Sequence, residues 1–200
     1  MKKISLISII ILLLANGSAW AQLSLGGTGA VFANTDQSAD TIITMFKEGE
    51  GIFYGPFIEL GMKNFAIGAA FNWSYYVTDY INPNTEMIDY DLSGYLQGHL
   101  FSYKAFIDPF FEIGIGKIAT DYAKSSEDND PSNPLRATTY FQAGGGFGLN
   151  FGALGFFAKA LYMIPTGDPV VATIPGYASY NLEAYPLKPL KIFLGAKIIL

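Results

Sequence analysis

Cysteine is absent and histidine occurs once in the 200 residues. The first absence excludes a disulfide framework, a thiolate metal site, a cysteine nucleophile and the lipid-bearing cysteine of a lipoprotein. The second excludes a multi-histidine metal site. Charge is also scarce: 14% of residues are Asp, Glu, Lys or Arg, with 12 basic against 17 acidic and a net charge of −5. A nucleic-acid partner would require clustered Lys and Arg to neutralise phosphates, and the sequence has no such cluster. Nowhere does an apolar run reach the ~18 residues of a helical membrane span. What the chain has instead is 22 Gly, 13 Tyr and 16 Phe, a composition of turns and β-surfaces rather than of helical bundles.

The N-terminus reads as a cleavable secretory signal. Lys2 and Lys3 precede an apolar run from Ile4 to Ala15, and Ala19-Trp20-Ala21 supplies a small-x-small processing site. Cleavage is expected after Ala21, which divides the chain into a signal peptide, 1–21, and one mature domain, 22–200. An exported chain with no lipid-bearing cysteine has three destinations: free in the periplasm, released, or inserted in an outer membrane.

Period-2 alternation recurs along the mature chain. Phe65, Ile67, Ala69, Phe71, Trp73, Tyr75 and Val77 oppose Ala66, Gly68, Ala70, Asn72, Ser74 and Tyr76, a sorting that a 3.6-residue helical period cannot produce. The same pattern, weaker, runs from Tyr90 to Phe101 and from Lys191 to Leu200. Eight strands are expected: Leu23 to Ala33, Ile52 to Met62, Phe65 to Val77, Ile88 to Phe101, Pro109 to Ala119, Arg136 to Asn150, Leu154 to Ile164, and Leu190 to Leu200. Most are as long as the ~9–11 residues of a membrane-crossing strand, whereas soluble strands average ~5–6. Their connections alternate: 34–51, 120–135 and 165–189 are long and 78–87 is medium, while 63–64, 102–108 and 151–153 are short. That is the layout of an all-β, eight-stranded, antiparallel up-and-down transmembrane barrel. Within the first long connection, Ile42, Ile43, Met45 and Phe46 either pack across the barrel mouth or continue the second strand.

Parity assigns the two faces. Lipid-facing positions include Ile67, Phe71, Trp73, Leu96, Ile113, Phe141, Phe156, Ile192, Leu194 and Ile198, with Ile52, Tyr54 and Ile58 on the second strand. Inward positions carry Glu59, Glu112, Lys159, Lys197 and His99, together with Gln97 and Arg136. Counted from the short turns, the two carboxylates and two ammonium groups are expected to share one layer and neutralise each other, since an unpaired buried charge costs several kcal/mol. The interior of an eight-stranded barrel holds little beyond side chains, so this layer reads as a plug, with a gated ion route as the competing reading. The Gly144-Gly145-Gly146 run is expected to make room for Tyr140 or Phe157.

Over its mature length the chain resembles the small eight-stranded outer-membrane barrels of the OmpA/OmpX type. The cleavable signal, the alternating segments and the final strand Gly195-Ala196-Lys197-Ile198-Ile199-Leu200 carry the likeness. Leu200 stands where such families usually place a terminal aromatic, and Phe193 where a polar residue is usual. The resemblance implies insertion by the barrel-assembly machinery and contact with outer-membrane lipids and lipopolysaccharide. No cofactor or bound metal is implied. Some barrels of this size modify lipids with a rim histidine, but His99 lies close to the short turn at 102–108, the wrong end for that chemistry, and the chain is not expected to be an enzyme. The expected role is structural, in envelope integrity, or interactive, through an extracellular partner of the long loops. The alternatives are a narrow OmpW-like channel or porin for small or apolar solutes, and a soluble periplasmic lipocalin-like barrel with its apolar face inward.

Overall fold

The computed structural model describes residues 22–48, 51–78, 85–122, 136–171 and 188–200. The segment 1–21, expected to be a signal, and most of the expected connections 120–135 and 165–189 lie outside them. Eight strands form the described fold: β1 (Gln22–Ala33), β2 (Ile52–Gly61), β3 (Phe65–Thr78), β4 (Thr85–His99), β5 (Ile107–Tyr122), β6 (Arg136–Phe151), β7 (Leu154–Val171) and β8 (Leu190–Ile199), with one helix, α1 (Ala39–Glu48), between β1 and β2. Each strand pairs antiparallel with its sequence neighbour, and β1 closes on β8 from Ser24↔Ile199 to Ala33↔Leu190. Closure leaves no free sheet edge, so the backbone groups of the wall are satisfied within it.

The alternation in the sequence is the cause of this wall. Along β2, Tyr54, Pro56 and Ile58 are exposed while Phe53, Phe57 and Glu59 are buried. A side-chain period of 2 turns one set outward and the other toward the barrel axis. Tight turns fix the register at one end. Met62 N–H donates to the Phe65 carbonyl at 2.6 Å, and the Asn64 side-chain amide donates to the carbonyls of His99 and Phe101, tying the β2–β3 turn to the end of β4. In the β6–β7 turn Gly152 has φ +70°, a left-handed conformation that glycine adopts without a Cβ clash.

Two elements differ from expectation. β7 runs through Pro165 to Val171 rather than stopping at Ile164; Pro165 pairs with Tyr140, and the β6–β7 register shifts between Ala137 and Thr139. The shift leaves residues 167–169 of β7 opposite Thr138 alone, so Pro169 falls inside a bulge, where a sheet tolerates the loss of a ladder donor. The apolar segment Ile42 to Phe46 forms α1, neither a mouth cover nor an extension of β2. Ser38 caps it: Ser38 Oγ accepts from Thr41 N–H at 3.2 Å, and the Ser38 carbonyl from Ile42 N–H at 3.2 Å. The helix packs on β1, where outward-facing Val31 and Ala33 are 0% exposed. Ile52, expected to face lipid, is buried for the same reason: a Cβ placed on its neighbour Gly29 would lie 3.8 Å from Ile52 Cγ2 and 4.0 Å from the Phe46 ring.

Candidate functional site

The barrel interior concentrates the polar chemistry. Near the short turns, Glu59 receives three donors: Tyr95 Oη at 3.0 Å, Tyr103 Oη at 2.8 Å and Lys197 Nζ at 3.4 Å. Tyr103 reaches it from the β4–β5 turn. Its hydroxyl is also 2.7 Å from Ser24 Oγ, and its ring centroid lies 3.9 Å from Lys197 Nζ. One proton serves one bond, so the phenol donates to the carboxylate and accepts from the serine. Burial, and then the charge of Glu59, push the Tyr103 phenol above its ordinary range.

Glu112, fully buried, accepts from Gln97 Nε2 at 2.9 Å, Gln142 Nε2 at 3.0 Å and Lys159 Nζ at 2.7 Å. Tyr95 connects this group to the previous one, since its hydroxyl is on Glu59 and its ring is 4.5 Å from Lys159 Nζ. The four expected ions therefore form two pairs joined by an aromatic ring rather than one common cluster.

A third pair lies beyond them. Asp91 and Lys191, both 0% exposed, are bonded to each other, and Tyr140 donates to Asp91 while accepting from Lys191 Nζ at 3.0 Å. The Phe193 ring is shared, 4.6 Å from Lys159 Nζ and 4.7 Å from Lys191 Nζ, a distance at which the quadrupole of the ring attracts a cation. Toward the long loops, Asp89 accepts from Thr120 Oγ1 at 2.6 Å, and Arg136 Nε donates to the same hydroxyl at 3.0 Å. The interior is not uniformly polar, because Phe32, Phe53, Ile118, Leu161 and Met163 pack with Tyr140 and Phe193 in one apolar cluster.

His99 does not join the lysine–carboxylate pairs. Its Nδ1 lies 2.8 Å from Asp108 Oδ1, its ring meets Tyr103 edge-on at 5.0 Å, and its Nε2 is buried without a hydrogen-bond partner. A cleft of about 410 Å³ opens at this short-turn end, lined by Gln22, Met62, Lys63, Ser102, Tyr103 and Lys104.

The fillers of the interior depend on glycines other than those expected. A Cβ on Gly68 would fall 2.5 Å from Tyr95 Cζ, and one on Gly116 would overlap the Tyr140 ring. Gly195 makes room for Phe157; of the triple-glycine run, Gly146 faces Phe110 and Lys159, while Gly144 and Gly145 approach backbone. Asp91, Lys191 and Tyr103 were missed as members of the network. The first two stand in inward slots of alternating strands, a signal available in the sequence, whereas nothing in a turn residue announces that its side chain enters the barrel.

The outer wall is the reverse. Ile67, Phe71, Trp73, Leu96, Ile113, Phe141, Phe156, Leu194 and Ile198 are all exposed, and Ile192, beside the helix-covered Val31, is half-buried. Phe65, Phe101, Phe106 and Phe151 are exposed at the short-turn end, where Phe106 and Phe151 meet edge-on at 5.3 Å.

No protein-family profile matches the chain, and no curated protein matches it. Among solved structures it is similar to the N-terminal β-barrel domain of Pseudomonas aeruginosa OprF, with 13% identity over 90% of this chain and 97% of that one and a TM-score of 0.47. It is similar to Ail, the attachment invasion locus protein of Yersinia pestis, crystallised with the heparin analogue sucrose octasulfate, with 11% identity over 90% and 97% and a TM-score of 0.48. It is also similar to Neisserial surface protein A, with 11% identity over 89% and 96% and a TM-score of 0.45. The fold of this chain, a closed, eight-stranded, antiparallel up-and-down barrel, is given by its own strand pairing.

Proposed function

We propose that the chain is an integral outer-membrane protein whose oily wall faces lipid and whose interior is sealed by paired ions. Its role is structural or interactive, exercised through the long loops. A single observation carries the reading: large apolar side chains are exposed around the whole circumference, from Leu25 on β1 to Leu194 and Ile198 on β8, while carboxylates and ammonium groups are buried. A water-soluble protein exposes contiguous apolar patches of at most a few hundred Å², and only lipid makes such a wall favourable. The lipocalin-like alternative requires the opposite orientation, and the charged interior argues against it. Export by the N-terminal signal, insertion by the barrel-assembly machinery, and contact with lipopolysaccharide belong to the same proposal.

Three stacked ion pairs and a wedge of tyrosines and phenylalanines favour a barrier over a conduit, because a permeating ion would have to displace partners that hold each other in a poorly solvated space. An enzymatic role has no support in the position of His99, which is buried on the short-turn side beside Asp108. Fractionation and detergent gels test the proposal. The expressed protein is expected in the outer-membrane fraction, soluble only with detergent, and to migrate as a compact species until boiled. Recovery in the soluble fraction without detergent would sink it.

A further inference from the structure

From the packing of α1 on the outside of the barrel we infer that this helix is an interfacial membrane element, its partner being the lipid at the boundary between headgroups and acyl chains. The inference rests on the membrane reading above and adds a lipid contact outside the strands.

Three observations meet here. The helix lies at the height of the lipid-facing wall: Phe46 sits over Gly29, whose partners on either side, Tyr54 and Leu194, are both exposed wall residues. Gly29 leaves a notch between them that the Phe46 ring fills. Secondly, the apolar arc of the helix is wider than its footprint on the barrel. At about 100° per residue, Met45, Ile42 and Phe46 occupy one sector and Ile43 continues it by roughly 60°. The first three are half-buried, whereas Ile43 remains 49% exposed. Thirdly, the remaining sector is polar, with Asp40, Thr41, Thr44, Lys47 and Glu48 all exposed. A helix with one apolar flank against protein, the next flank uncovered and a charged back is the pattern of a segment lying in the plane of a membrane interface. The occupant of the uncovered flank is lipid because that flank is continuous with the wall that lipid already covers.

The absence of cysteine makes the test direct, since one introduced cysteine carries the only spin label. Ile43→Cys, Glu48→Cys and Phe71→Cys are labelled separately and refolded into phosphatidylcholine vesicles, with heat-modifiable migration confirming the fold of each. Collision rates with oxygen, enriched in the hydrocarbon, and with a water-soluble nickel complex then report depth. The label at 43 is expected to favour oxygen over nickel several-fold more than the label at 48, and to lie shallower than the label at 71. Equal nickel access at 43 and 48, with the label at 71 still shielded, would overturn the interfacial helix and leave the membrane reading intact. Nickel access at 71 as well would overturn both. Should Ile43→Cys fail to refold, Ala39→Cys reads the same flank, with the same two outcomes.

Discussion

Glu112 shows what a buried carboxylate demands of its neighbours: two amides and an ammonium group converge on it. Lys159→Met leaves that charge with amide donors only, and the expected loss is about 3–5 kcal/mol, the range for stripping one partner from a buried pair. The double variant Lys159→Met/Glu112→Gln is expected to recover most of it; urea unfolding of the refolded barrel in vesicles measures both. Tyr103 gives a second test, with a sign that follows from its raised ionisation. The folded chain holds the phenolic proton more tightly than the unfolded one, so the contribution is complete below about pH 10 and is lost as the pH climbs beyond it. Stability of the native protein is therefore expected to fall more steeply above pH 10 than that of Tyr103→Phe, whose curve starts lower because the bond to Glu59 is gone. At this scale the sequence is half legible. A charged residue in every second place of an oily strand declares its direction, as Glu59, Glu112, Lys159 and Lys197 did. It does not declare its partner, because the pairing across the lumen depends on the stagger of strands that are far apart in sequence.

The strands were the most legible elements, because an eleven-residue alternation leaves little freedom in assignment. β7 was underestimated where Pro165 and Pro169 interrupt the pattern; Pro165 still pairs with Tyr140, and a bulge in β7, where residues 167–169 stand opposite Thr138 alone, lets pairing resume at Val170. The helix α1 was hidden for a different reason: a ten-residue segment is marginal alone and exists here because a glycine notch and the side chains of Val31, Ala33 and Ile52 receive it. Glycine placement on the inner face is the hardest feature to read, since each one answers to a ring on a neighbouring strand. Gly68→Val pushes a branched side chain into Tyr95, the residue that links two ion pairs. The expected destabilisation is about 1–3 kcal/mol, the usual range for overpacking, read as a lower urea midpoint of the refolded barrel. A Cβ placed on Gly94, by contrast, meets no atom closer than 4.0 Å, and Gly94→Ala is expected to shift the midpoint far less.

For the molecule as a whole, the ion pairs and the tyrosines that bridge them predict electrical silence. Refolded protein in a planar bilayer is expected to show no reproducible conductance steps at moderate voltage. Steps that appear in the native protein and change with Glu59→Gln or Lys159→Met would instead establish a narrow channel. Closure has its own bearing on how such a molecule comes into being. The first ribbon out of the ribosome, Ser24 to Ala33, finds its final companion only in Leu190 to Ile199. Synthesis and completion are thus separated in time, and throughout the journey two raw margins stand open to any sticky neighbour. On the membrane reading proposed above, a protein with this seam would travel under escort, and its arrival in the bilayer and its becoming a cylinder would be one event.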